Sequence, residues 1–141
     1  MNQLRTINTA DLANLTKGLV GFDRYFSGHF HNTNGNYPPY NIVKYDETHY
    51  GIEVAVAGFS KEEITVEVDQ DQLTVKGCKL NQADSRFEYL HRGLAARDFE
   101  QTFTLAEYME VHAAEVKDGM LVIELERVVP EALKPRQILI K

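Results

Sequence analysis

The sequence predicts an all-β fold, an antiparallel β-sandwich carrying an N-terminal arm and an extended C-terminal tail. Two observations carry this. Apolar and polar residues alternate with period two in five short runs through the middle of the chain. Turn residues break those runs every few positions, and neither end of the chain shows the pattern.

The first region, residues 1–36, reads as an arm. Thr9 or Asp11 could cap a short helix over Leu12, Leu15 and Leu19, weakened by Gly18 and Gly21. Phe22, Tyr25, Phe26 and Phe30 follow, beside Gly28, Gly35 and the polar run 31–34. Aromatics in a segment of poor helix and strand propensity suggest a sticky, loosely ordered arm. A helix packed on the core remains open.

The second region, 37–129, is the sandwich. The Pro38-Pro39 pair punctuates its entry. Ile52, Val54 and Val56 alternate with Gly51, Glu53 and Ala55. Ile64, Val66 and Val68 alternate with Thr65, Glu67 and Asp69. Leu73 and Val75, then Phe99, Gln101 and Phe103, then Leu121, Ile123 and Leu125 repeat the pattern. Asp118-Gly119 accepts the positive φ of a type I′ turn and predicts a hairpin. Gly58 marks another connection, and Ser60 is placed to cap one helical turn. A short strand pattern lies within the connection from Lys79 to Arg97.

The third region, 130–141, holds Pro130 and Pro135 and ends in Ile138-Leu139-Ile140-Lys141. In an extended segment residues i and i+2 share a side, so Ile138 and Ile140 point together. Two exposed β-branched residues on a proline-stiffened arm need a groove. A second copy of the chain is the simplest supplier, and a tail folded back on its own domain is the alternative.

Composition bounds the function. The chain has 141 residues, 43% apolar and 26% charged, with a net charge of −6. That is globular composition for one domain with free ends. An acidic balance argues against nucleic acid as the main partner. No apolar run is long enough for a membrane span. Residues 1–5 lack a signal-peptide pattern, and the single Cys78 makes no internal disulfide, so a cytoplasmic location is expected. No catalytic constellation stands out. There is no Gly-x-Ser-x-Gly elbow and no phosphate-binding loop, so neither an enzyme nor a cofactor is expected. His29 and His31 alternate, but no further Cys or His close by supports a zinc site. Cys78 reads as an inert, at least half-buried thiol, with a redox switch as the lesser option.

The three regions together resemble the small heat shock proteins, built on an α-crystallin-type domain of immunoglobulin-like sandwich form. The late family signature reads here as Ala114-Glu115-Val116-Lys117-Asp118-Gly119-Met120-Leu121, with Asp118 where asparagine is common. The Ile-x-Ile anchor matches Ile138-Leu139-Ile140. The runs Gly21-Phe22-Asp23-Arg24, Tyr37-Pro38-Pro39-Tyr40-Asn41, Val56-Ala57-Gly58-Phe59 and residues 125–132 look like the bacterial inclusion-body-associated subgroup.

The resemblance implies an ATP-independent holdase that keeps unfolding client proteins soluble for ATP-driven chaperones downstream. It implies dimers that assemble into larger homo-oligomers through Ile138 and Ile140. It implies a dimer made by exchange of a loop strand, here Phe87, Glu88, Tyr89, Leu90, His91 and Arg92. A simple meander strand is the other reading of that segment. The resemblance also points to Arg97, in Ala96-Arg97-Asp98-Phe99-Glu100, as an arginine that pairs with carboxylates of a partner chain; a solvated surface arginine is the bland alternative. Client contact falls to the arm, with Phe22, Tyr25, Phe26 and Phe30 as candidates. Ile64, Val66 and Val68, with Val111, Ala113, Val116, Leu121 and Ile123, are candidate groove walls. A co-chaperone module of related sandwich type is the alternative function, but it needs neither the Ile138/Ile140 anchor nor the loop strand.

Overall fold

The computed structural model describes residues 18–22, 37–80, 86–94 and 96–141. The helix expected over Leu12 and Leu15, the His29/His31 pair, and Tyr25, Phe26 and Phe30 lie outside them.

Eight strands form two four-stranded sheets. They are β1 (Leu19–Val20), β2 (Tyr40–Lys44), β3 (His49–Ala55), β4 (Ile64–Asp69), β5 (Gln72–Gly77), β6 (Phe99–Leu105), β7 (Met109–Lys117) and β8 (Met120–Arg127). One sheet has the order β1-β6-β5-β4 and the other β2-β3-β8-β7. All pairings are antiparallel except β1 on β6.

The alternating runs become the two inner faces. Ile52, Val54 and Val56 from one sheet meet Leu73, Val75 and Phe103 from the other, with Leu121, Ile123 and Leu125 beside them. Each is at most 2% exposed. Burying side chains of this size contributes about 1.5–3 kcal/mol apiece, which makes this alternation the main determinant of the fold. Gln101, a polar residue in an inward run, is nonetheless buried.

Turn chemistry follows the sequence closely. Asp118 and Gly119 have φ of 52° and 77°, as a type I′ hairpin needs. The 3-10 turn Lys61–Glu63 is closed by a capping box, with the Ser60 N–H donating to Glu63 Oε2 at 3.0 Å. Between β2 and β3 the Asp46 carboxylate accepts from the Thr48 and His49 N–H groups, each at 2.8 Å. These bonds, with that to the His49 ring, hold the Asp46 carboxyl well below its usual range, and the Asp46 partnership pushes His49 up.

Two expectations are corrected. Leu19 lies in a strand rather than a helix. Gly18 turns the backbone with φ of 72°, and the Thr104 and Ala106 N–H groups then donate to the Gly18 and Val20 carbonyls, each at 2.8 Å. Val20 is fully buried. Cys78 is exposed, because it lies one residue past the end of β5; its Sγ stands 4.0 Å from Asp98 Oδ2.

Candidate functional site

The two sheets are stacked so that β2 covers β6. The Tyr40 ring meets Phe103 edge-on at 5.0 Å, and the Gly18 backbone hydrogen-bonds the Tyr40 hydroxyl. With β2 above the β1/β6 side, the opposite edges, β4 and β7, border the same side of the sandwich. Their relative direction follows from the loops. The Val56 N–H donates to the Gly119 carbonyl at 2.9 Å, which brings the chain leading into Ile64 beside the β7–β8 turn. At the other end the Leu105 N–H donates to the Asp71 carbonyl, and the Met109 N–H to Ala106. Strand β4 thus runs opposite to β7, with Ile64 toward Val116 and Val68 toward Val111.

Which side chains line the gap is set by register. Val111 lies opposite Leu125, Ala114 opposite Ile123 and Val116 opposite Leu121, so these three face inward. A β-bulge between Val111 and Ala113 resets the alternation. His112 turns outward, where its Nε2 meets Glu126 Oε2 at 2.8 Å, and Ala113 pairs with outward Glu124. His49 approaches the same carboxylate at 3.9 Å. On β4 the inward residues are Ile64, Val66 and Val68.

The two edges thus present inward apolar residues in opposite order, Ile64, Val66 and Val68 on β4 and Val116, Ala114 and Val111 on β7, as the walls of an apolar groove. Ile64, Val66, Val111 and Val116 are half-buried against the core. Val68 is 50% exposed, and Ala114 is exposed although it faces inward. Of the walls read from the sequence, Leu121 and Ile123 are closed core and Ala113 faces away. Ala114 was missed, because a bulge leaves no mark in an alternating pattern.

The tail occupies nothing of its own chain. After the 3-10 turn Glu131–Leu133, closed by a Lys134–Glu131 ion pair of 2.6 Å, the backbone is extended. Ile138 and Ile140 are 74% and 98% exposed. The alternative of a folded-back tail is therefore not what the chain adopts.

The loop-strand segment is likewise unpaired in the single chain. Residues 87–92 carry no strand, and Phe87, Tyr89 and Leu90 are exposed. Phe87 and Tyr89 pack edge-on at 5.3 Å, and the Arg92 guanidinium stacks over Tyr89 at 4.8 Å. Glu88 and His91 are exposed between them. Arg97 is exposed; its guanidinium lies 4.5 Å over the Tyr37 ring, and its backbone N–H donates to the Tyr37 hydroxyl at 3.2 Å. Phe22, the one arm aromatic among the described residues, is half-buried just beyond β1. Among the described residues no group of three or more His, Cys, Asp or Glu side chains is set to hold a metal, and no helix is long and apolar enough to cross a membrane.

Comparison with known proteins agrees with this architecture. The model of the Hsp20/alpha crystallin family matches residues 42–141. The chain is 44% identical over 139 residues to the small heat shock protein IbpA of Yersinia pestis (strain Pestoides F), covering 96% of this chain and 100% of that protein. Among solved structures, the small heat shock protein AgsA of Salmonella typhimurium, in a C-terminally truncated form, superposes with a TM-score of 0.61 at 29% identity. It covers 74% of this chain and 100% of its own. A small heat shock protein from Synechococcus phage S-ShM2 superposes with a TM-score of 0.59 at 35% identity over the same share of each chain. Sandwich, groove, extended tail and sequence agree, and the chain belongs to the Hsp20/alpha-crystallin family of small heat shock proteins.

Proposed function

We propose that the chain is an ATP-independent holdase, working in the cytoplasm and handing its clients to ATP-driven chaperones. The observation that carries this is the amount of apolar surface presented in extended form: an open groove, an unseated Ile138-Leu139-Ile140 tail and an exposed Phe87–Leu90 segment. Monomeric proteins rarely leave such patches open, and here they are of two complementary kinds. In this reading the arm (1–36) engages clients, the sandwich (37–129) dimerises, and the tail (130–141) links dimers.

For the dimer, residues 87–92 add as a strand to the free edge of β2 in a second copy, the edge remote from the groove. In this reading Arg97, which lies over the Tyr37 ring, pairs with a carboxylate of the partner chain. For the larger assembly, Ile138 and Ile140 of one copy enter the β4/β7 groove of another. Two isoleucines supply about 3–6 kcal/mol before the cost of ordering the arm, so each contact is reversible and assembly depends on many.

Light scattering of a heat-unfolding client tests the activity. The full chain should suppress aggregation without nucleotide, and Tyr25→Ser, Phe26→Ser and Phe30→Ser together should remove most of that protection. Equal protection by the substituted chain moves the client site onto the sandwich. No protection by the full chain at any ratio overturns the holdase reading.

A further inference from the structure

We propose that Asp46, His49, Glu126 and His112 form a proton-binding array on the outer face of the β2-β3-β8-β7 sheet, in which a proton at His49 Nε2 ties β3 through Glu126 to the bulge of β7.

The four groups follow one another across the sheet. Asp46 stands in the β2–β3 turn, His49 opens β3, Glu126 is its cross-strand partner on β8, and His112 is the unpaired residue of the β7 bulge. Both Asp46 carboxylate oxygens lie 2.9 Å from His49 Nδ1. His49 Nε2 lies 3.9 Å from Glu126 Oε1, and Glu126 Oε2 lies 2.8 Å from His112 Nε2.

This order fixes where the protons go. The Asp46 carboxylate is an acceptor only, held ionised by the Thr48 and His49 backbone N–H groups, so His49 Nδ1 carries the hydrogen that meets it. In the neutral ring His49 Nε2 is then a lone pair facing Glu126 Oε1, acceptor against acceptor. A second proton enters only at Nε2, and there it turns the contact into a charge-assisted pair. His112 behaves differently, because its Nε2–H donates to Glu126 whether the ring is neutral or charged. Glu126 is therefore held on one oxygen when His49 is neutral and on both when His49 is protonated.

The neighbouring charges favour that proton. Glu110 lies opposite Glu126 on β7, Glu124 lies on the same face of β8, and Glu47 follows Asp46 in the turn. The Tyr45 ring covers Gly51 on this face. Of the fixed cations nearby, Lys44 pairs with Glu47 at 3.6 Å and shares the inward parity of Tyr50, and Arg127 shares that of Leu125. Lys117 is at the far end of β7. His49 is accordingly raised above its ordinary 6.5, chiefly by its hydrogen bond to Asp46, with the Asp46 and Glu126 charges adding. A raised folded pKa gives stability that is complete below the unfolded value and lost as pH rises through the folded one. Mild acidification thus tightens the hold on β7, and alkalinisation releases it. Because β7 changes parity at His112, that hold bears on how Ala114 and Val116 are presented to the groove.

Exchange of the histidine C2 hydrogen, read by mass spectrometry, gives the titration of each ring in the full-length assembly. His49 should titrate above 6.5, and Glu126→Gln should lower its proton affinity about two- to fivefold, the range for a half-exposed pair. An unchanged His49 titration in Glu126→Gln overturns the proposal. Amide exchange of residues 109–117, corrected for its intrinsic pH dependence, reads the hold on β7. It should be about two- to fivefold slower at about pH 6 than at about pH 8.5. His49→Gln should remove that difference, whereas His112→Gln, which keeps a donor for Glu126, should preserve it. No difference in the parent, a difference that survives His49→Gln, or one that vanishes with His112→Gln each overturns the proposal.

Discussion

At Glu63 one carboxylate ties three segments together. It accepts from the Ser60 N–H, from the Leu80 N–H at 3.1 Å and from Lys79 Nζ at 2.9 Å, while Lys79 also donates to the Gly58 carbonyl. The Lys79 ammonium and these backbone donors pull the Glu63 carboxyl down from its ordinary 4.5 to about 2. A carboxylate with a depressed folded pKa contributes stability above its unfolded pKa and loses it as pH falls through the folded one. Its contribution is therefore complete above pH 4.5 and gone near pH 2. Glu63→Gln should lower the denaturation midpoint at pH 7 and narrow the gap to the parent as pH falls through that window. A gap that stays constant with pH would show that Glu63 acts through shape alone. The sequence announced this only in part: Ser60 and Glu63 have capping-box spacing, but Lys79 is sixteen positions away and reaches Glu63 only through the fold. Gly77 is similar. A Cβ there would collide with the Phe99 ring, a close approach that only strand pairing reveals.

At the scale of elements, legibility tracked burial. The runs around Ile52, Leu73, Phe103 and Ile123 each serve the core on one face, so alternation exposed them directly. β1 and β2 were not read as strands, because each is an edge. Tyr40–Lys44 has only half-buried and exposed residues, and Leu19–Val20 is two residues long. Edge strands bury little and need no strict period. The bulge at His112 hid Ala114 for a related reason, since an inserted residue shifts parity without changing composition. The tail and the 87–92 segment were legible as unpartnered elements, and each yields a test. Ile138→Ala with Ile140→Ala should reduce the assembly to dimers by sedimentation, with β-content by circular dichroism unchanged. A parent-like size would remove the tail as anchor. Deleting residues 87–92 should give folded monomers, and a deletion variant still dimeric at low concentration would place the dimer contact elsewhere.

For the whole molecule, the position of β1 changes what the arm is. Val20 is fully buried, and β1 closes the free edge of β6 with two backbone hydrogen bonds. The arm therefore contributes a staple to the sandwich as well as aromatic surface, and the two roles occupy different residues. Removing residues 1–17 spares Gly18, Val20 and every arm aromatic, so both stability and client protection should stay close to the parent. Removing residues 1–36 takes Val20 as well as Phe22, Tyr25, Phe26 and Phe30. The truncated sandwich should remain folded, because its strands begin at Tyr40, but with about 1.5–3 kcal/mol less stability from the lost valine. It should also lose most protection of large clients. Chemical denaturation and client light scattering on the two truncations separate the roles. If the 1–36 deletion matches the parent in stability, β1 is dispensable to the fold. If it matches in protection, clients meet the sandwich, and the groove that the tail vacates becomes the surface that holds them.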